Sequence, residues 1–314
     1  MQDKLSIVGN CRSDLVSKIG KDFYKEKVEA MREIYGRFYL CSDNFGIERR
    51  RGNYTHPKYD ISKEDNMQMQ KQYDETTARN TTNRELFSDI LEEAIVKNPD
   101  ANFVVRPHPL ADPRWWSSRF WKYHNVHIIN ILNLEPWLLA SEGLISMGCT
   151  SALQAQLAGI DSLNIISQES NNQNEFAFSD TLLGLKIKDG KQLSDYIDWR
   201  SKNNQRLSRP KPSDMKILKS IWKTSEEMPI AMDYARRIDD LMPQITANSF
   251  NNTANHIVNM RSALQNLFKI DPDKWATPSF LEVKKKHRKW ANVIQCHDSK
   301  ISKLCNGLYS ISSK

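Results

Sequence analysis

The sequence predicts a doubly wound α/β domain, a parallel sheet with helices on both faces, and three observations carry that expectation. Short, continuous apolar runs recur at Arg37-Phe38-Tyr39-Leu40-Cys41, Phe103-Val104-Val105, Val126-His127-Ile128-Ile129, Gly143-Leu144-Ile145-Ser146-Met147 and Leu163-Asn164-Ile165-Ile166. Runs without in/out alternation are those of strands buried on both sides. Helical segments separate them at short spacing, the pattern of right-handed crossovers onto one sheet. Several runs also end in polar, turn-rich tips, where an open α/β sheet places its ligands. The domain is expected over residues 37–205, with an α-helical, basic extension over 206–314.

Leu5 to Leu15 reads as a short strand, a Gly9-Asn10 turn and a helix start. Its abrupt beginning fits either the end of a larger preceding domain or an edge strand of the domain that follows. Lys18 to Glu33 is a charged helix ended by Gly36, and Ser42-Asp43-Asn44-Phe45-Gly46 is the tip of the first core strand. From Glu48 to Arg79 the chain is polar, so a long surface loop is expected, with one helical turn near Gln68 to Tyr73 and a solvated face at Arg49-Arg50-Arg51. Leu86, Phe87, Ile90, Leu91, Ala94 and Ile95 then mark a helix, with Asn83 as its cap and Asn98-Pro99-Asp100 as its stop. Trp115, Trp116, Phe120, Trp121 and Tyr123 form an aromatic segment read as core or lid packing. Pro136 to Ala140 is a short helix, and Ser151 to Ala158 a second one closed by Gly159. Beyond the Arg209-Pro210-Lys211-Pro212 linker, helices are expected at 215–222, 230–242 and 254–268, followed by the basic run Lys284 to Lys289.

Composition narrows the partners. Lys and Arg number 45 against 38 Asp and Glu, a net charge of +7, which favours anionic partners such as nucleotide phosphates. Five scattered cysteines, without a C-x-x-C, fit a reduced, cytoplasmic setting and give no metal site. No apolar run is long enough to span a membrane, so peripheral contact of the basic extension with an anionic surface is the most membrane association expected. Nucleic acid is disfavoured by the lack of any reading module.

Two constellations can do chemistry. In Arg106-Pro107-His108-Pro109 the prolines restrict the backbone around an imidazole able to donate to a phosphate oxygen or protonate a leaving group, with Arg106 as a second cation. The same residues also fit a loop histidine between structural prolines, with Arg106 paired to a carboxylate. In Ser146-Met147-Gly148-Cys149-Thr150-Ser151 a glycine permits a tight turn into a helix start whose free amides and dipole favour an anion. Plain N-capping by Thr150 or Ser151 is the alternative there. Cys149 reads as a small buried or half-buried thiol and not a nucleophile. No Walker lysine and no G-x-G-x-x-G is present, which disfavours an ordinary ATPase or dinucleotide dehydrogenase.

The stretch Asn98 to Pro109, NPDANFVVRPHP, resembles the "NPD.NFV.RPHP" stretch of bacterial surface carbohydrate biosynthesis proteins, a group similar to GT-B glycosyltransferases of the Kdo-transferase, sialyltransferase and glycerophosphotransferase kind. Val8 to Leu15 is similar to that family's "GNPR.DLL", Ser42 to Gly46 to its "NTNFG", and Gly148 to Ser151 to its "CTT" loop, while Phe178 to Ile187 resembles the stretch before its last helices. The resemblance implies the Rossmann-like, carboxyl-terminal half of a GT-B fold, holding a nucleotide-sugar donor, such as a CMP-sugar, as substrate and needing no cofactor. Carried over residue by residue, His108 is the catalytic residue that contacts or protonates the donor phosphate. Arg106, Gly148, Thr150 and Ser151 bind that phosphate, and Asn44 and Gln154 lie near the nucleotide or acceptor. Cys11 departs from the family's proline and Gln154 from its usual glutamate. The "GNPR.D" piece lies at the domain junction in full-length members, so residues 1–36 are expected to be an interdomain segment, with the amino-terminal half supplied by a separate Rossmann-domain polypeptide. The implied role is lipopolysaccharide or capsule assembly. A non-catalytic protein that binds a nucleotide sugar or a partner through the same half-fold is the alternative.

Overall fold

The computed structural model describes residues 10–46, 63–109, 111–129, 133–166, 184–203, 205, 207, 230, 281, 284–285, 299–305 and 308–313. The chain divides into two compact units, Tyr24–Trp222 and Met1–Phe23 with Lys223–Lys314.

The larger unit is built on six parallel strands: β1 Phe38–Ser42, β2 Asn102–Arg106, β3 Val126–Ile128, β4 Gly143–Ser146, β5 Asp161–Ile165 and β6 Leu185–Ile187, in the order β3-β2-β1-β4-β5-β6. The helices are α1 Lys18–Tyr35, of which Tyr24 to Tyr35 belong to this unit, α2 Lys63–Lys97, α3 Pro113–Phe120, α4 Glu135–Ala140, α5 Ser151–Ala158 and α6 Gly190–Lys202. The doubly wound expectation holds. From β1 the chain steps outward through β2 to β3, then returns to place β4 on the other side of β1 and steps outward again to β6. The strand order therefore reverses between β1 and β4.

Side-chain alternation divides the core. Tyr39, Cys41, Phe103, Val105, Ile145, Leu163 and Ile165 join Phe87, Leu91, Trp116, Phe120, Leu193 and Ile197 in one buried cluster, so this face lies under α2, α3 and α6. Phe38 points to the other face, where it meets Tyr35 of α1 and Trp137 of α4 at ring distances of 6.1 and 6.2 Å. Arg32 of α1 donates to the carbonyls of Leu139 and Ala140 there.

One long element corrects the sequence reading. α2 occupies most of the expected surface loop and runs through Asn83, which is an interior residue and not a cap. Its upstream half has only scattered apolar residues, Met67, Met69, Tyr73 and Ala78, without a repeating apolar stripe. Lys, Glu, Gln, Met and Ala are good helix formers regardless, and Gln70 to Asp74 (2.8 Å) and Lys71 to Glu75 (4.0 Å) add contacts one turn apart. At 1.5 Å per residue, 35 residues extend about 52 Å, against about 17 Å for a five-residue strand, so α2 overhangs the sheet. Its downstream end stops as expected at Asn98, whose side chain bonds the Ala94 carbonyl (2.8 Å).

Gly159 closes α5 in the left-handed region at φ +80°, with the Ile160 N–H reaching the Ala155 carbonyl at 2.8 Å. α6, absent from the sequence reading, is held by Tyr196, whose hydroxyl donates to Asp161 (2.8 Å), and by Arg200 on Glu142 (3.0 Å).

In the other unit, Cys11–Val16 is a 3-10 helix opened by the Asn10 side chain, which accepts from the Arg12 N–H, and Asp14 accepts from the Ile230 N–H (3.0 Å). Ser299–Cys305 (β7) and Leu308–Ser313 (β8) pair as an antiparallel hairpin, a strand element within the extension expected to be helical. The Arg49 run, the expected strand at Leu5–Val8, Phe178 to Leu183, and the expected helices at 215–222, 254–268 and most of 230–242 lie outside the described residues, as does the basic run apart from Lys284 and Lys285.

Candidate functional site

The reversal of strand order makes a topological switch point at the carboxyl ends of β1 and β4, the position where open α/β sheets take ligands in a crevice. Three segments meet around it: Asp43–Gly46 after β1, Pro107–Pro109 after β2 and Met147–Thr150 after β4.

Asp43 holds two of them together. Its buried carboxylate (2% exposed) accepts from the Phe45 N–H at 2.6 Å, the His108 N–H at 3.2 Å and the Trp116 indole N–H at 2.9 Å. Its own N–H donates to the Arg106 carbonyl at 3.1 Å. Burial raises the carboxyl pKa above the ordinary aspartate value; the three donors and the Arg84 charge pull it back only in part. His108 is therefore positioned through its backbone, between two prolines that donate nothing, and its carbonyl accepts from the Ala111 N–H (2.8 Å).

Asn44 spans the crevice. Its side-chain amide donates to the Gly148 carbonyl at 3.1 Å, tying the tip of β1 to the turn after β4. Gly148 sits at φ +59°, a conformation that favours glycine, and its N–H donates to the Asn164 side chain of β5 at 3.2 Å. The turn delivers the chain into α5. Thr150 occupies the N-cap position in helical conformation, exposed and with no side-chain cap bond, so the plain-capping alternative does not describe it. Ser151 is buried (3% exposed), and its hydroxyl has no hydrogen-bond partner among the described residues. The first turn of α5 thus offers hydroxyls to an anion in the favourable field of the helix dipole, while the Ala152 and Leu153 N–H groups already donate to the Cys149 and Thr150 carbonyls at 3.0 and 3.1 Å.

Of the residues singled out from sequence, Asn44, His108, Gly148, Thr150 and Ser151 lie on these three segments or at the helix start they lead into. Arg106 ends β2, buried at 9% exposure, and pairs in register with Ser42. Gln154 is placed differently: one turn into α5 and 3% exposed, it donates to Glu135 of α4 at 3.2 Å, inside the helix layer. Cys149 is half-buried beside the turn, whereas burial of Cys41 pushes its thiol pKa strongly upward and leaves it unreactive.

Sequence reasoning missed Arg84 and Asn80, and it read Asp43 only as part of the β1 tip and Trp116 only as packing, which its place in the core bears out. Asn80 donates to the Phe45 carbonyl (2.9 Å), and the Arg84 guanidinium lies 4.0 Å from the Trp115 ring centroid, so mid-α2 braces the β1 tip and α3. An aspartate between a strand end and Asn44 is a signal for an Asx turn. Among the described residues no group of His, Cys, Asp and Glu is arranged to hold a metal ion, and no helix is long and apolar enough to cross a membrane.

The fold and site define a doubly wound α/β unit with a switch-point crevice. No protein-family model matches the sequence, and no curated protein does. Among solved structures the chain is similar to a UDP-GlcNAc 2-epimerase of Methanocaldococcus jannaschii in complex with UDP-GlcNAc and UDP (13% identity, TM-score 0.42, covering 71% of this chain and 56% of that one). It is also similar to the wall teichoic acid polymerase TagF (9%, 0.42, 78% and 54%) and to a glycosyltransferase from Rickettsia africae (12%, 0.35, 79% and 59%). The matched region spans little more than half the length of each of these proteins.

Proposed function

We propose that the Tyr24–Trp222 unit binds a nucleotide-activated sugar in the β1/β4 crevice and acts as the donor-binding part of a glycosyltransferase for cell-surface polysaccharide. The observation that carries this reading is the Asn44 bridge to Gly148, which sets the Asp43–His108 bond on one side of the crevice and the start of α5 on the other. Both sides suit a phosphate: an imidazole two residues after Arg106, and a helix start with a favourable dipole and two adjacent hydroxyls. In the proposed reaction His108 donates to, or protonates, the phosphate leaving group as the bond to the sugar breaks, and Thr150 and Ser151 hold the phosphate oxygens where charge accumulates. A CMP-sugar is the donor implied by the resemblance of the His108 and Gly148 stretches, and lipopolysaccharide or capsule the implied product.

Calorimetric titration with CMP, CDP and UDP tests the reading. Binding of at least one nucleotide is expected, weakened about tenfold or more in His108→Ala, as befits loss of a hydrogen bond to a charged group. Absence of binding by all three overturns it. Sugar release or transfer from the donor separates the enzyme from a protein that only binds.

A further inference from the structure

We propose that Arg84 of α2 is the counter-ion of Asp43 and, through it, a positioning residue for the His108 tip. The ligand served rests on the nucleotide reading above. The ion pair itself rests on the packing of α2 against the β1 tip.

Residues three and four apart on a helix share a face, so Asn80, Arg84 and Phe87 form one stripe of α2. Asn80 donates to the Phe45 carbonyl at 2.9 Å, and the Phe87 ring lies 5.9 Å from that of Phe45 and 6.0 Å from that of Trp116. Arg84 stands between them, 5% exposed, with its guanidinium 4.0 Å from the Trp115 ring centroid. Trp115 meets Trp116 edge to face at 4.8 Å, and the Trp116 indole donates to Asp43. The stripe therefore brings a cation to the side of the β1 tip on which Asp43 is buried.

Alternation along β1 directs Asp43 to that side. Tyr39 and Cys41 belong to the core under α2, α3 and α6, and Asp43 continues their parity. Ser42 and Arg106, paired in register, have the opposite parity, so Arg106 is directed to the other face. His108 meets Asp43 through its backbone N–H. On α3, Arg114 pairs with Asp112, and Arg119 with Asp89 and Glu92. On α2, Glu85 beside Arg84 is exposed. Among the described residues Arg84 is the cation whose charge acts on the Asp43 carboxylate. The ionised carboxylate accepts from Phe45 through one oxygen and from His108 and Trp116 through the other, and protonation puts a hydrogen on one of those oxygens. A neighbouring cation favours the charged form of a buried acid, so Arg84 keeps the three bonds in place as pH falls.

The Trp116 indole N–H resonance, assigned with Trp116→Phe, follows the charge on Asp43, and calorimetry with UDP and CMP follows its effect on the site. In Arg84→Met, which keeps much of the side-chain length and loses the charge, the midpoint of the indole titration should move to higher pH. The nucleotide dissociation constant at neutral pH should rise about tenfold. Arg84→Lys keeps the charge and gives up the planar stack, and Trp115→Leu removes the ring, so both midpoints should stay near that of wild type. An unmoved midpoint in Arg84→Met overturns the proposal. Equal displacement in all three variants does so too, because it assigns Arg84 to packing alone. Melting temperatures give an independent check, since removing one member of a buried pair costs more than removing both. Asp43→Asn combined with Arg84→Met is expected to lose less than the two single losses added together; strict additivity overturns the pair. A moved midpoint with wild-type nucleotide affinity overturns the positioning role. A moved midpoint with no nucleotide bound by wild type keeps the counter-ion and overturns the nucleotide reading.

Discussion

Asp43 shows how much of the site depends on one side chain. Its carboxylate serves three N–H donors from three places, and no neutral side chain of that size can accept all three. In Asp43→Asn one oxygen can still serve Phe45, but the amide NH2 then faces the donors of His108 and Trp116. Unfolding experiments are expected to show a loss of about 2–3 kcal/mol, with nucleotide affinity falling alongside as the His108 tip loosens. The pH dependence has a definite sign. Burial raises the folded-state pKa, so the folded protein holds the Asp43 proton at pH values where the unfolded chain has released it. Stability contributed by this group is therefore highest below the ordinary aspartate range and falls as pH rises through the folded-state value. The stability of wild type minus that of Asp43→Asn should decline over that window; a difference that grows with pH there would contradict the assignment. Asp43 was not legible as a site residue because its partners lie 65 and 73 residues away.

At the scale of elements, legibility followed the apolar runs in the chain. β1 to β5 and α5 could be read from the chain because each strand carries a short run with apolar residues, reduced in β5 to Leu163 and Ile165, and α5 ends in a glycine that the left-handed position requires. The upstream half of α2 could not, since a helix with no sheet beneath it has no apolar period to detect. β6 escaped for the opposite reason: it is three residues long and partly exposed, and what defines it is its neighbour. Gly184 opens it at φ +86°, and a Cβ there would stand 2.2 Å from the Ser162 carbonyl oxygen. That oxygen is backbone of β5, so no rotamer change relieves the clash. Gly184→Ala combines a left-handed conformation with this overlap and should cost more than about 3 kcal/mol in a urea titration. A stability near wild type would mean that β6 does not lie against β5 as described.

For the molecule as a whole, ligand binding should mark one compact unit and spare the other. The formal charge of +7 points to an anionic partner without saying where it binds. The proposed site lies in one unit, since the Asp43, Asn44, His108 and Gly148 bonds all fall within Tyr24–Trp222. A ligand that binds only the folded state stabilises it by about 2.7 kcal/mol at a hundredfold excess over its dissociation constant. In hydrogen exchange this gain appears at amides whose opening breaks the site. With saturating UDP or CMP, exchange should slow at Phe45, His108, Gly148 and the first turn of α5. The Ser299–Ser313 hairpin, which belongs to the other unit, should exchange at an unchanged rate. The prediction is directional: it requires protection on both sides of the crevice, because Asn44 couples them through Gly148. Protection confined to the hairpin would move the anion site out of the sheet. Protection at His108 without Gly148 would show that the two sides do not act on the same ligand.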